Sequence, residues 1–153
     1  MKEYRHSPSD ALEKEFAFAA QELNEWIQQE GAVLISEFAE GRESMARSLG
    51  HGQGYCPLNL RHIHKEGSTH TFVWVRVWKI DGKTRSQVIR KPRTTRHYNI
   101  ATLEKATPTP FRQLVLNTEA RARDLREENA VLVKIRETVR TIRGVRRAQV
   151  PEG

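Results

Sequence analysis

HTFVWVRVWKIDGKTRSQVIRK, residues 70–91, reads as a β-hairpin and decides the fold. Its first half, His70–Ile80, is dense in β-branched and aromatic residues, which fit a pleated, half-buried surface. Asp81-Gly82 then supplies the two positions of positive φ that a type I′ turn demands. The return, Lys83–Lys91, is far more polar, so it belongs near a sheet edge, with His70–Ile80 as the central strand. Alternation places Phe72, Trp74, Arg76, Trp78 and Ile80 on one face and Thr71, Val73, Val75, Val77 and Lys79 on the other. Both faces are largely apolar. One is expected to lie under helix, leaving the aromatic face or its rim to a partner.

Leu58–His64 adds a third short strand upstream. Before it, Gly50-His51-Gly52-Gln53-Gly54 has three glycines in five residues and no apolar rhythm, the composition of a flexible connector. Downstream, PRTTRHY continues the basic character in extended form, because Pro92 cannot donate to a ladder. Ile100–Lys105 is expected to make about one helical turn.

Residues 9–40 form an amphipathic helix, with Leu12, Phe16, Ala19, Ala20, Leu23, Trp26, Ile27, Leu34 and Phe38 at three- and four-residue steps. Asp10 and Glu13 have the spacing of a capping box, and Gly31 marks a kink or a break. A second helix starts with Thr109 as N-cap and Pro110 at its first position and runs to about Arg143, roughly 50 Å at 1.5 Å per residue. Leu125, Leu132 and Val139 recur by sevens, with Ile135 and Ile142 as the second seam position; the seam is open to pairing within the chain or between two chains, and a homodimer through Leu125–Ile142 is expected. The tail from Arg143 is expected to fray. The fold class is α+β: a small three-stranded antiparallel sheet between two long helices. Three segments are expected, an acidic helix at 1–50, a basic hairpin region at 51–106 and a long helix with basic tail at 107–153.

The net charge of +7 is unevenly spread. Residues 1–50 hold 5 Lys/Arg against 10 Asp/Glu, residues 51–100 hold 10 against 2, and residues 101–153 hold 11 against 7. A concentrated field of one sign recruits a polyanion, and a two-stranded ribbon fits a DNA major groove. The candidate DNA contacts are Arg76, Lys79, Lys83, Arg85, Gln87, Arg90, Lys91, Arg93 and Arg96. Trp74 and Trp78 are candidates for base stacking, with core packing favoured for both. No run approaches the roughly 20 apolar residues of a membrane span, and MKEYRHSPSD lacks a signal-peptide centre, so a cytoplasmic location and no membrane partner are expected. The lone Cys56 excludes an intramolecular disulfide.

Two other readings compete. His62-Ile63-His64 places two imidazoles on one strand face, as in metal-dependent single-strand nickases, with Tyr55 or Tyr98 as nucleophile. A zinc site from Cys56 with His51, His62 or His64 has no standard spacing and is set aside. The other competitor is an interaction adaptor that binds a protein through the acidic first helix and ignores nucleic acid.

LNLRHIHKEG, FVWVRVWKIDGKTRSQVIRK, RHYNIATL and the long Arg/Glu/Leu helix ending in KIRETVRTIR, in this order between Leu58 and Ile142, resemble the MobI family of conjugative-transfer proteins. The resemblance implies an auxiliary protein of the relaxosome, non-enzymatic and without cofactor. It implies binding of double-stranded DNA at an origin of transfer and assistance to a separate relaxase. Members tend to carry arginine where this chain has His62 and His64, which counts against the nickase.

Overall fold

A computed structural model describes residues 7–50, 55–65 and 69–149. Helix α1 spans Pro8–Leu49, strands β1, β2 and β3 span Leu58–His64, His70–Ile80 and Lys83–Val88, and helices α2 and α3 span Ile100–Ala106 and Arg112–Gln149. The sheet is antiparallel in the order β1-β2-β3, so β2 is central and β3 an edge, and the α+β class is as expected. Asp81 and Gly82 have φ of 50° and 75°, which gives the turn its expected hand. β3 ends at Val88. Ile89 still donates to Trp74 O at 2.9 Å, and the chain then leaves the sheet before Lys91.

The two long helices pack against each other in opposite directions. Glu37 meets Arg121, Asn24 meets Arg136, and Glu13 meets Arg143, so positions descend on α1 as they ascend on α3. Leu125, Leu132 and Val139 are buried in this pair together with Ile27 and Leu34. The seam expected to build a homodimer is instead used within the chain, because α1 covers it, and a homodimer would have to form on another surface.

Asp10 and Glu13 do not cap their own helix. Ser7 is the N-cap, with no side-chain capping bond to the backbone, and Pro8 opens the first turn. Both carboxylates instead hold Arg146 of α3, and Glu13 also accepts from Arg143 Nε at 2.7 Å. These pairs explain why α3 continues to Gln149 rather than fraying at Arg143. The onset of α3 is a 3₁₀ turn, Thr109–Phe111, with Pro108 rather than Thr109 as its cap. Residues 51–54, the greater part of the glycine-rich connector, and residues 150–153 of the tail lie outside the described residues.

Helix α1 runs straight through Gly31 and on past Gly41 to Leu49. Neither glycine breaks it, because each makes room for a neighbour. A Cβ on Gly31 would sit 2.8 Å from His62 Nδ1 and 3.0 Å from Phe72 Cε1, and one on Gly41 3.0 Å from Leu114 Cδ1. Gly31→Ala would gain about 1 kcal/mol of helix propensity but force two stacked rings apart, at about 1–3 kcal/mol. The expected result is a net loss in a urea melt; a gain would show that the rings yield freely.

The core lies between the helix pair and one sheet face: Leu58, Leu60, Phe72 and Trp74 from the sheet, Ile27, Leu34 and Phe38 from α1, Phe111 from the 3₁₀ turn, and Val115 and Ala122 from α3. The aromatic face of β2 is thus the covered one, and only its far end, Trp78 and Ile80, stands clear. On the other face Arg61 donates to Ser86 Oγ at 3.4 Å, reaching from β1 to β3 across β2. Val75, on the same face, is fully buried.

Candidate nucleic-acid interface

A buried polar network mounts the hairpin on α3. Glu119 is inaccessible to solvent; it accepts from Trp74 Nε1 at 3.0 Å and takes both ends of the Arg126 guanidinium at 2.9 Å. Arg126 also donates to Phe72 O at 3.1 Å from Nη2. Tyr98 completes the junction: Trp74 N–H donates to its hydroxyl at 3.0 Å, and the hydroxyl donates to Ile89 O at 2.8 Å. Where β3 has departed, Tyr98 and Arg126 thus occupy the β2 edge that a further strand would take. Arg123 Nη2 donates to Tyr98 O at 2.6 Å, and Arg126 lies 5.2 Å from the Tyr98 ring centre. Burial pushes the Tyr98 hydroxyl pKa up, in keeping with a neutral hydrogen-bonding role.

The candidate contact residues divide around this mount. Lys83, Arg85 and Gln87 share a face of β3, and the register sets Gln87 opposite Arg76, Arg85 opposite Trp78 and Lys83 opposite Ile80. Lys79 points to the other face. Arg90 and Arg93 follow in the segment beyond the sheet. β3 is exposed along its whole length. The side chains of Arg76, Lys79, Lys83, Arg85, Arg90 and Arg93 are all exposed, and none forms a hydrogen bond, ion pair or ring contact with a described residue. An indentation of about 270 Å³ brings Arg76, Gln87 and Arg90 together, and a groove of about 510 Å³ joins Arg90 and Arg93 to Val73, Val88 and Thr95.

Two expected contacts are otherwise engaged. Lys91 is half-buried with its ammonium 5.9 Å from the Tyr98 ring centre, and burial lowers its pKa. Arg96 pairs with Glu127 at 2.8 Å, while His97 Nε2 lies 2.7 Å from the same carboxylate. The hydrogen bond to His97, then the Arg96 charge, hold the Glu127 carboxyl below its ordinary range. Arg61, exposed beside Ser86, is a seventh cation that reading along one strand missed, because only the β1–β2–β3 register brings it to the hairpin.

His62 and His64 belong to a different assembly. The antiparallel register sets His64 opposite His70, and the three imidazoles stack, with His64 and His70 centred 3.9 Å apart and His62 lying 4.4 Å from the Phe72 ring. His70 Nε2 lies 2.7 Å from Asn24 Oδ1, so it carries the proton and donates; His70 Nδ1 then accepts from His62 Nε2 at 2.8 Å. Among the described residues no group of three or more His, Cys, Asp or Glu could hold a metal ion. His51 lies outside them, and Cys56 is buried, its thiol pKa raised by that burial. Neither tyrosine stands free beside the histidines. Tyr98 is inside the mount, and Tyr55 donates to Val77 O at 2.9 Å, at the opposite end of β2 from His70 and about 20 Å away along the strand.

Burial, then the charges of neighbouring groups, push the His70 pKa down to about 4, and His62 moves in the same direction. Unfolded histidine titrates near 6.5, so between about 6.5 and 4 the unfolded chain binds more protons than the folded one. Stability therefore falls as pH falls through that window. The urea midpoint is expected to drop between pH 7 and 5.5, above the carboxylate range, and to drop less in His70→Gln; an unchanged midpoint in the parent chain would contradict a depressed His70 pKa.

The described residues define a class: a small α+β protein in which an antiparallel helix pair carries a hairpin studded with unpaired cations. The chain belongs to the MobI family, a family of conjugative mobilisation: the family model described as MobI protein matches residues 27–140. That span reaches upstream of the resembling segments into α1. No curated protein and no solved structure matches the chain. Among the described residues no helix is long and apolar enough to cross a membrane.

Proposed function

We propose that this protein binds double-stranded DNA at an origin of transfer through the β2–β3 hairpin and the segment after it, and so assists a separate relaxase without itself catalysing cleavage. The observation that carries this reading is the set of six exposed cations, Arg76, Lys79, Lys83, Arg85, Arg90 and Arg93, without a carboxylate partner among the described residues. Cations held apart on a rigid ribbon repel one another, and a phosphate backbone relieves that repulsion. Membership of a mobilisation family supplies the biological setting.

Fluorescence anisotropy with a labelled duplex carrying the origin of transfer, against an unrelated duplex of equal length, tests the reading. Binding at low salt with preference for the origin is expected. Failure to bind either duplex would overturn it, and equal binding would remove the origin from it. Arg96→Ala, which removes a cation already paired with Glu127, is expected to leave the affinity nearly unchanged.

A further inference from the structure

The two tryptophans of β2 sit four residues apart on one face and have opposite surroundings. Trp74 is fully buried, meets the Phe38 ring edge-on at 5.1 Å and donates its indole N–H to Glu119. Trp78 is half-buried, and its indole makes neither a hydrogen bond nor a ring contact with a described residue. Two residues on, Ile80 is 53% exposed beside the turn. Arg85 stands directly opposite Trp78 and Lys83 opposite Ile80, with Arg76 and Gln87 forming the next pair inward. Directly opposed side chains have Cβ atoms about 5 Å apart, so cations flank this apolar strip without a guanidinium lying over the indole.

An aromatic ring and an aliphatic tip ringed by unpaired cations suit a ligand that offers π-faces and phosphates together. An intact duplex offers phosphates and base edges, with its base faces stacked on each other. Unpaired bases offer their faces, and aromatic side chains bind them with little regard to sequence. Building on the DNA-binding reading, we infer that the Trp78–Ile80 strip is a base-contact site and that the hairpin prefers DNA with unpaired bases over fully paired duplex. Trp78 stacks on an unpaired base while Arg76, Lys83 and Arg85 hold the adjoining phosphates.

The test compares a labelled duplex containing a short central mismatch bubble with the fully paired duplex of the same length. The parent chain is expected to bind the bubble more tightly. Trp78→Ala should weaken bubble binding by about 5- to 150-fold, the range for loss of one stacked base, and leave paired-duplex binding nearly unchanged. Trp78→Phe should recover much of the difference. Equal affinities for the two DNAs, or equal losses in Trp78→Ala, would overturn the inference while leaving DNA binding intact; binding to neither would overturn the DNA-binding reading itself. A second measurement avoids altering the hairpin. In Trp26→Phe, Trp74 is buried and Trp78 is the only partly exposed indole, so single-stranded oligonucleotide should quench the emission if Trp78 stacks, and unchanged emission at saturating binding would contradict the site.

Discussion

Replacing Glu119 by alanine is expected to lower stability by about 3–5 kcal/mol, the range for removing one partner of a buried ion pair. The carboxylate is inaccessible to solvent, and Arg126 is only 6% exposed. Without Glu119, Arg126 keeps the Phe72 carbonyl but loses its counter-charge, and the Trp74 indole N–H loses its acceptor. Glu119→Gln retains an acceptor for Trp74 but not the charge, so its loss should be intermediate. A Glu119→Leu, Arg126→Met double variant should recover much of the loss, since the cost lies in the orphaned charge rather than in the absence of a favourable pair. Urea denaturation at pH 7 measures all three. A loss below about 1 kcal/mol for Glu119→Ala would show that water reaches Arg126 and that the network does not mount the hairpin.

Replacing Lys83, Arg85, Arg90 and Arg93 together by alanine is expected to weaken duplex binding at 0.1 M salt on the order of a thousandfold. Each phosphate neutralised releases close to one counterion, which at this salt concentration contributes nearly a factor of ten. All four side chains are exposed and make no hydrogen bond, ion pair or ring contact with described residues, so their removal should leave the urea midpoint near that of the parent. A large fall in affinity with unchanged stability would place the phosphate contacts on these residues. Full affinity in the folded variant would move the interface elsewhere, the basic positions of α3 being the next candidates.

The hairpin was legible because its signals are local: period-two alternation, β-branched density and a dipeptide that tolerates two positive φ values. Which part is scaffold and which is surface was not, because Trp74 and Trp78 have the same phase. They are separated only by how far along β2 the helices reach. The charged network hid in plain composition. Stepping by threes and fours from Val115 lands on Thr118 and Glu119, then on Ala122, Leu125 and Arg126, so charges fall in phase with the apolar stripe of α3. That in-phase placement was the available signal. Asn24 on α1 and Asn129 on α3 are in phase in the same way, and both reach His70, one at the ring and one at the backbone N–H. The His-x-His pattern pointed toward metal chemistry because its third member, His70, joins it only through the strand register. Asp10 and Glu13 show the converse: a capping spacing whose side chains are claimed by arginines 130 and 136 residues away.

The most direct test of the central claim is the salt dependence of duplex binding. With six unpaired cations on phosphates, a plot of log affinity against log salt concentration should have a slope of about −5 for the parent chain and about −2 for the variant lacking Lys83, Arg85, Arg90 and Arg93. A parent slope near zero, or a slope unchanged by the four substitutions, would contradict a DNA interface built on the cationic hairpin.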